Sequence, residues 1–278
     1  RQINTIQVLP TMPTKPNIVF ILVDDMGYGD FGRLNEGRSS TPALDGLLDE
    51  GLCLSQHYTG SPLCAPSRAC LLTGRYPQRT GSIDTLEWRG LDRLALREVT
   101  LADAFRAAGY KTGLIGKWHL GAYDERYFPQ ARGFDESVCF HGGAHDYFQW
   151  RLEYNGRVHR SDGTYLTDVF TEEARKFIRR NAKQPFFLHL TYNAPHGPLH
   201  CPEEEVKPFA DTGRFTKGVS TLYGMLHRMD RGVATILETL KELGLAENTI
   251  VLFTSDNGPE FSGQGDWCIT RYNCRLHG

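Results

Sequence analysis

Continuous apolar runs alternate along the chain with segments in which apolar residues recur at helical spacing. Runs at 17–23, 185–192 and 249–255 have no polar alternation and contain many β-branched or aromatic residues. Such runs predict strands that are buried on both faces of a sheet. A further strand is predicted at 111–118, and the longest helical pattern runs from Leu222 to Leu243.

Capping residues mark where two of the predicted helices begin and end. Thr41 suits an N-cap, Pro42 suits the first helical position, and Gly51 suits the stop. Thr100 and Asp103 have the spacing of a capping box. The alternation of strands and helices predicts an α/β fold, with a largely parallel mixed sheet sandwiched between helices. In such folds, functional sites gather at the carboxyl ends of the strands.

Composition excludes several classes of function. The chain has 278 residues, of which 40% are hydrophobic and 23% are charged, which is ample for a globular core. The formal net charge is −2, so no basic surface for nucleic acid is expected. No apolar run approaches the roughly 18 residues of a membrane span. Residues 1–15 resemble a flexible lead-in, and 16–278 are expected to form one domain.

The predicted strand ends carry polar residues that could form one site. They are Asp24 and Asp25, Lys117 and His119, His196, and Asp256 and Asn257. Each alone is typical of a turn, a loop or a solvated charge. Because parallel strands end at the same edge, we expect these side chains to converge. The carboxylate and amide oxygens suit Ca²⁺ or Mg²⁺, and three carboxylates without a cation would repel one another. With Arg68, the basic residues predict a pocket for a tetrahedral oxyanion.

Cys64 precedes a short predicted helix. Pro66 suits the first turn of that helix and Gly74 its end, so Cys64 should lie just ahead of the helix N-terminus. Backbone N–H groups and the helix dipole favour an anion there. The alternative is a buried structural cysteine. The chain has seven cysteines and no Cys-x-x-Cys pair, so at least one thiol stays outside any intrachain disulfide, and no structural zinc site is expected.

The segment CAPSR followed by LLTGRYPQRTG resembles the signature of the cysteine-type sulfatases. Cys-x-Pro-Ser-Arg is matched in full at Cys64, Pro66, Ser67 and Arg68. The segments NIVFILVDDMGYGD, GYKTGLIGKWHLG, NAPHGPL and FTSDNG resemble the other landmarks of that family, in the same order. The resemblance implies the alkaline-phosphatase-like fold. It also implies hydrolysis of a sulfate ester, either of a sulfated carbohydrate or of an aryl sulfate.

The resemblance also implies a chemistry for these residues. Cys64 would be oxidised to formylglycine by a maturation enzyme, and one hydroxyl of the hydrated aldehyde would attack sulfur. Arg68 would orient that group, and His119 would help to deprotonate its second hydroxyl. Lys117 and His196 would bind sulfate oxygens. One Ca²⁺ would be held by Asp24, Asp25, Asp256 and Asn257, with the group derived from Cys64.

The chain departs from the family pattern near its C-terminus. No lysine follows the Asp-Asn-Gly landmark, and neither Arg271 nor Arg275 matches the family's second sulfate-binding lysine. A smaller C-terminal domain is also missing, so we expect a truncated chain with an exposed apolar seam. The N-terminus lacks both a methionine and an apolar signal region, so an exported protein whose leader is absent is expected, with a cytoplasmic location left open.

Other interpretations stay open at this point. His145, in FHGGAHDYF, is a candidate substrate contact, although histidines in glycine-rich loops are usually only loop residues. A phosphatase or phosphodiesterase of the same superfamily is the main alternative function, but such sites usually combine a Ser or Thr nucleophile with two transition metals. A truncated paralogue that binds sulfated glycans without cleaving them is the other.

Overall fold

One seven-stranded sheet organises the part of the chain that the computed structural model describes, residues 15–261 and 270–276. The strands are β1 (Asn17–Asp24), β2 (Lys111–Lys117), β3 (Glu136–Phe140), β4 (Arg151–Tyr154), β5 (Arg157–Arg160), β6 (Phe186–Pro195) and β7 (Thr249–Ser255). Their order is β5-β4-β3-β2-β6-β1-β7. The five strands from β3 to β7 in that order are parallel, and β4 and β5 add an antiparallel hairpin at one edge. The α/β sheet expected from the sequence is therefore confirmed.

Helices cover both faces of this sheet. They are α1 (Pro42–Glu50), α2 (Cys64–Thr73), α3 (Pro77–Thr80), α4 (Leu101–Ala107), α5 (Leu166–Asn181), α6 (Glu203–Ala210) and α7 (Lys217–Glu242). Successive side chains of a strand point to opposite faces. Val19 and Ile21 of β1 accordingly lie in the core beneath α5 and α7, whereas Ile18 lies in the smaller core beneath α2 and α4. Burial on both faces explains the unbroken apolar run of β1.

The capping predictions hold with one addition. Helix α1 has Thr41 as its N-cap residue and Gly51 as its C-cap, as the sequence indicates, and α4 has the expected capping box. The Thr41 side chain does not cap α1, however. The carboxylate of Asp230, on α7, accepts hydrogen bonds from the backbone N–H groups of Ala43 and Leu44 at 3.0 and 2.9 Å. A side chain from a distant helix thus satisfies the free amides at the start of α1.

The structure corrects two expectations. Strand β7 is not buried on both faces: Ile250 and Leu252 are 47% and 45% exposed, because β7 is an edge strand among the described residues and pairs there only with β1. Cys64 does not precede α2 but is its first residue, with Leu63 as the N-cap. The predicted lead-in at 1–15 falls, except for Lys15, outside the described residues. Among the helices described, none combines the length and hydrophobicity needed to cross a membrane.

Candidate active site

The carboxyl ends of four adjacent parallel strands meet at one edge of the sheet. In the order β2-β6-β1-β7, these strands end at Lys117, Pro195, Asp24 and Ser255. The polar residues predicted to converge therefore share one rim. Seven of them are buried: Asp24, Asp25, Arg68, Lys117, His119, Asp256 and Asn257. The parallel order of the strands, rather than any local motif, brings together residues more than 200 positions apart.

Three carboxylates form the centre of this site. Oxygen atoms of Asp24, Asp25 and Asp256 all lie within 4.8 Å of one another. Asn257 Nδ2 donates to Asp25 Oδ1 at 2.6 Å, whereas the buried Asn257 Oδ1 has no hydrogen-bond partner among the described residues. A buried oxygen without a partner is costly unless a cation or water meets it. The set of hard oxygen donors fits Ca²⁺ or Mg²⁺.

Proton affinities show how crowded these carboxylates are. Burial raises the pKa of Asp256 to about 6, and the charge of Asp24 adds to that effect. Burial also raises the pKa of Asp25. Burial acts on Asp24 in the same direction, but the positive charge of Lys117, His196 and Arg68 outweighs it, and the pKa of Asp24 is lowered. A divalent cation would relieve this repulsion more fully than a proton.

Two buried cations lie beside the carboxylates. Lys117 Nζ donates to Asp24 Oδ2 at 2.5 Å, and neither side chain is exposed to solvent. Arg68 Nε and Nη2 lie 2.9 and 2.8 Å from Asp256 Oδ2, and its Nη2 lies 3.6 Å from Asp24 Oδ1. Arg68 Nη1 also donates to the carbonyl of Lys117 at 3.2 Å. These contacts hold both cations rigidly, so their positive charge is fixed at the site.

Cys64 opens α2 against the carboxylates. Its Sγ lies 3.4 Å from Asp24 Oδ1, and Sγ, an Asp24 oxygen and a His196 nitrogen lie within 4.8 Å of one another. Three residues later, the Ser67 hydroxyl donates to the carbonyl of Asp256, which ties the first turn of α2 to the end of β7. Burial and the charge of Asp24 raise the pKa of the thiol, and these surroundings therefore favour its protonated form. Cys64 forms no disulfide with any other cysteine that the structure describes.

Two histidines complete the rim. His196 Nδ1 donates to the carbonyl of Gly197 at 2.7 Å, and its Nε2 lies 3.7 Å from Asp25 Oδ2. His119 is 2% exposed; burial, with the charges of Lys117 and Arg68, lowers its pKa well below the usual value. Its ring is therefore neutral, and the same surroundings make it a weak base.

A carboxylate that no sequence pattern indicated lies beside His119. Glu87 Oε1 lies 3.6 Å from His119 Nε2 and accepts a hydrogen bond from the Gly143 amide at 2.5 Å. A Cβ at Gly143 would lie 2.5 Å from the His119 ring, so only glycine permits this approach. Glu87 lies in a short 3₁₀ turn, Glu87–Arg89, and no sequence motif marked it.

His145 is held differently from the other candidates. Its Nε2 lies 3.0 Å from the backbone carbonyl of Arg151, and its Nδ1 accepts from the Asp146 amide. Both ring nitrogens therefore bind backbone beside β4.

A second group that the sequence did not indicate is the buried ion pair of Asp30 and Arg271, which contacts the backbone of Asp25. These two residues are 241 positions apart, so no local pattern indicated the pair.

Comparison with known proteins places the chain in a family. The sulfatase family model matches residues 16–275. The chain is 36% identical to N-acetylgalactosamine-6-sulfatase of Homo sapiens, over 88% of this chain and 50% of the relative. It is 30% identical to an arylsulfatase of Klebsiella aerogenes, over 88% of this chain and 66% of the relative. The chain thus spans half to two thirds of the length of these relatives.

Solved structures agree with this assignment. The structure of Ps i-CgsB superposes with a TM-score of 0.83 at 36% identity, over 89% of this chain and 59% of that one. A structure of the same protein with k-i-k-neocarrahexaose gives a TM-score of 0.81, at 33% identity and the same coverage. The family match and the structural similarity show that this chain belongs to the sulfatase family, with the alkaline-phosphatase-like fold.

Proposed function

We propose that this chain carries the catalytic site of a sulfuric-ester hydrolase, which cleaves the sulfate ester of a carbohydrate or an aryl alcohol. One observation carries the proposal: Cys64 lies at the N-terminus of α2, 3.4 Å from Asp24, in a cluster of three buried carboxylates. Two buried cations, Lys117 and Arg68, flank the same cluster. Membership of the sulfatase family supports the reaction class.

Cys64 is, in this proposal, the precursor of formylglycine, made by a maturation enzyme that recognises the segment around Pro66 and Arg68. When present, the hydrated aldehyde supplies a nucleophile whose second hydroxyl lets sulfate leave without attack of water on sulfur. The chain contributes the position of this residue. The first turn of α2 presents backbone N–H groups, and these favour negative charge at Cys64.

Asp24, Asp25, Asp256 and Asn257 would hold one Ca²⁺, with the group derived from Cys64 as a further ligand. The fit rests on three crowded carboxylates and on the Asn257 Oδ1 that has no partner among the described residues. A calcium ion bound there would polarise a sulfate oxygen.

Lys117, Arg68, His196 and His119 would have different roles in the reaction. Lys117, which lies against Asp24, would bind a sulfate oxygen, and Arg68, held by Asp256, would orient the group derived from Cys64. His196 donates through Nδ1 to the Gly197 carbonyl, which leaves Nε2 directed at the carboxylates, where a sulfate oxygen would bind. His119 would help to deprotonate the second hydroxyl, the role that the family resemblance implies.

Relatives and neighbours support a sulfated carbohydrate as the substrate. A relative is named for an N-acetylgalactosamine 6-sulfate ester, and a neighbour was solved with a neocarrahexaose. A sugar that carries one sulfate would need the site described for its sulfate group, together with a surface that contacts the sugar ring. Because large anionic glycans do not cross membranes unaided, we also propose that the protein acts outside the cytoplasm.

The test combines maturation with ester preference. The chain is co-expressed with a formylglycine-generating enzyme, and peptide mass spectrometry over residues 61–68 should show a loss of about 18 Da, as expected when a thiol is replaced by a carbonyl. The matured chain should then hydrolyse 4-nitrophenyl sulfate faster than 4-nitrophenyl phosphate. Preference for the phosphate, with dependence on Zn²⁺, would favour a phosphatase. Ligand binding without turnover, in a chain shown to be matured, would favour a non-catalytic glycan-binding protein.

A further inference from the structure

The pair formed by Asp30 and Arg271 is almost completely removed from solvent. Arg271 Nε donates to Asp30 Oδ1 at 3.0 Å, and its Nη2 donates to Asp30 Oδ2, with side-chain exposures of 1% and 0%. Burying two charges costs several kcal/mol each in desolvation, so such a pair is weak evidence for a purely stabilising role. Its position relative to the carboxylates indicates another role.

The same guanidinium reaches the backbone of Asp25. Arg271 Nη2 donates to the Asp25 carbonyl at 2.6 Å. Asp25 has a φ of +63°, in the left-handed region that non-glycine residues adopt only where the surroundings hold them. Two further bonds hold this stretch: the Asp25 amide donates to Asp256 Oδ1 at 3.3 Å, and the Met26 amide donates to Ser255 Oγ at 3.0 Å. Arg271 supplies the bond on the carbonyl side.

The segment that carries Arg271 is fitted closely to the turn after β1. Asn273 Oδ1 accepts from the Gly29 amide at 3.0 Å, and a Cβ at Gly29 would lie 2.4 Å from the Asn273 backbone. Asp30 in turn accepts from the Gly27 amide at 2.6 Å. Residues 27–30 and 271–273 therefore meet backbone to backbone, and this contact sets the place of the guanidinium.

We propose that Arg271 is a positioning residue for the cation site. Oriented by Asp30, it holds the Asp25 peptide in the left-handed conformation, and that conformation directs the Asp25 carboxylate into the cluster. The inference rests on the proposed function only in taking Asp25 to be a calcium ligand. It gives a role to a residue that matches no landmark of the family resemblance.

Calcium affinity is the primary test. Wild-type chain, Arg271→Gln and Asp30→Asn are titrated with calcium by isothermal titration calorimetry. Loss of a group that orients a metal ligand typically weakens metal binding by about 10- to 100-fold, and we expect both variants to fall in this range. The matched control is Arg228→Gln: that guanidinium binds Asp168 and Glu205 between α5, α6 and α7. The control should lower the melting temperature and leave the calcium Kd unchanged.

A second readout needs no metal. Amide hydrogen exchange at Asp25 and Met26, measured in EDTA, should accelerate at least tenfold in Arg271→Gln, and should not change in the control. If Arg271→Gln does not fold, Arg271→Lys takes its place, because one ammonium cannot keep the bonds to both Asp30 oxygens and to the Asp25 carbonyl. An unchanged calcium Kd and unchanged exchange in a folded Arg271 variant would overturn the inference. If the wild-type chain binds no calcium but exchange is faster in the variant, the calcium site is refuted. The role of Arg271 in positioning Asp25 is then still supported.

Discussion

Replacing Lys117 with methionine tests the electrostatics of the site most sharply. The side chain has no solvent exposure, its Nζ lies 2.5 Å from Asp24 Oδ2, and methionine keeps most of its aliphatic length. Removing one partner of a buried ion pair usually costs about 3–5 kcal/mol, because the other charge stays buried. Asp24 keeps Arg68 Nη2 at 3.6 Å, so we expect a loss near the lower end, about 3 kcal/mol, without calcium.

Calcium should reverse much of this loss. A calcium ion among the carboxylates would neutralise the negative charge of Asp24, which Lys117 neutralises when no calcium is bound. If about 2 kcal/mol is recovered, linkage requires the variant to bind calcium about 30-fold more tightly than the wild type. The effect on stability and the effect on affinity are therefore two measurements of one coupling.

The assay is urea unfolding of both proteins in EDTA and in excess calcium, with calorimetric titration of calcium alongside. Lys176→Met is the control, because Lys176 pairs at 2.8 Å with Glu173 on the outer face of α5 and is half exposed. Such a pair contributes less than about 0.5 kcal/mol, independent of calcium. The reasoning is refuted if Lys117→Met loses the same stability with and without calcium, because the cation would then not lie against Asp24.

Three further predictions test other parts of the account. In EDTA, the raised pKa of Asp256, about 6, means that the folded state binds a proton more tightly than the unfolded state does. The free energy of unfolding should therefore include a contribution of up to about 3 kcal/mol that is present below about pH 4 and is lost as the pH rises through 6. Asp256→Asn should remove this pH dependence in urea unfolding. Asp230→Ala should cost about 1–2 kcal/mol in the same assay, because α1 loses the cap on its first amides, and should leave the calcium Kd unchanged. Gly143→Ala should force the buried His119 ring aside, at a cost of about 1–3 kcal/mol, and lower the turnover of the matured chain; unchanged turnover would count against a role for the position of His119 in the reaction.

Much of the site could be predicted because the sheet supplies its geometry. Unbroken apolar runs indicated parallel strands, and parallel strands bring Asp24, Lys117, His196 and Asp256 to one edge wherever they lie in the chain. Cys64 was expected just ahead of its helix and is the first residue of it, a difference within the usual uncertainty of a helix start.

What the sequence did not indicate has two physical causes. The hairpin of β4 and β5 is mostly polar and lies at the edge of the sheet, so it lacks the apolar pattern of the central strands. Its turn, Asn155–Gly156, has φ values of +50° and +83°, and this dipeptide is a hairpin signal that could have been used. The contacts of Glu87 and Arg271 arise only when distant segments pack, and no periodicity encodes them.

A nucleophile derived from Cys64 should remove sulfate from an ester at the carboxylate cluster. The most direct test is the rate of sulfate release from a sulfated glycan, with wild-type chain and Cys64→Ala expressed with the same maturation enzyme and assayed in calcium. The wild type should release sulfate, and the variant should give only the background rate. Release by Cys64→Ala at the wild-type rate would contradict this role of Cys64.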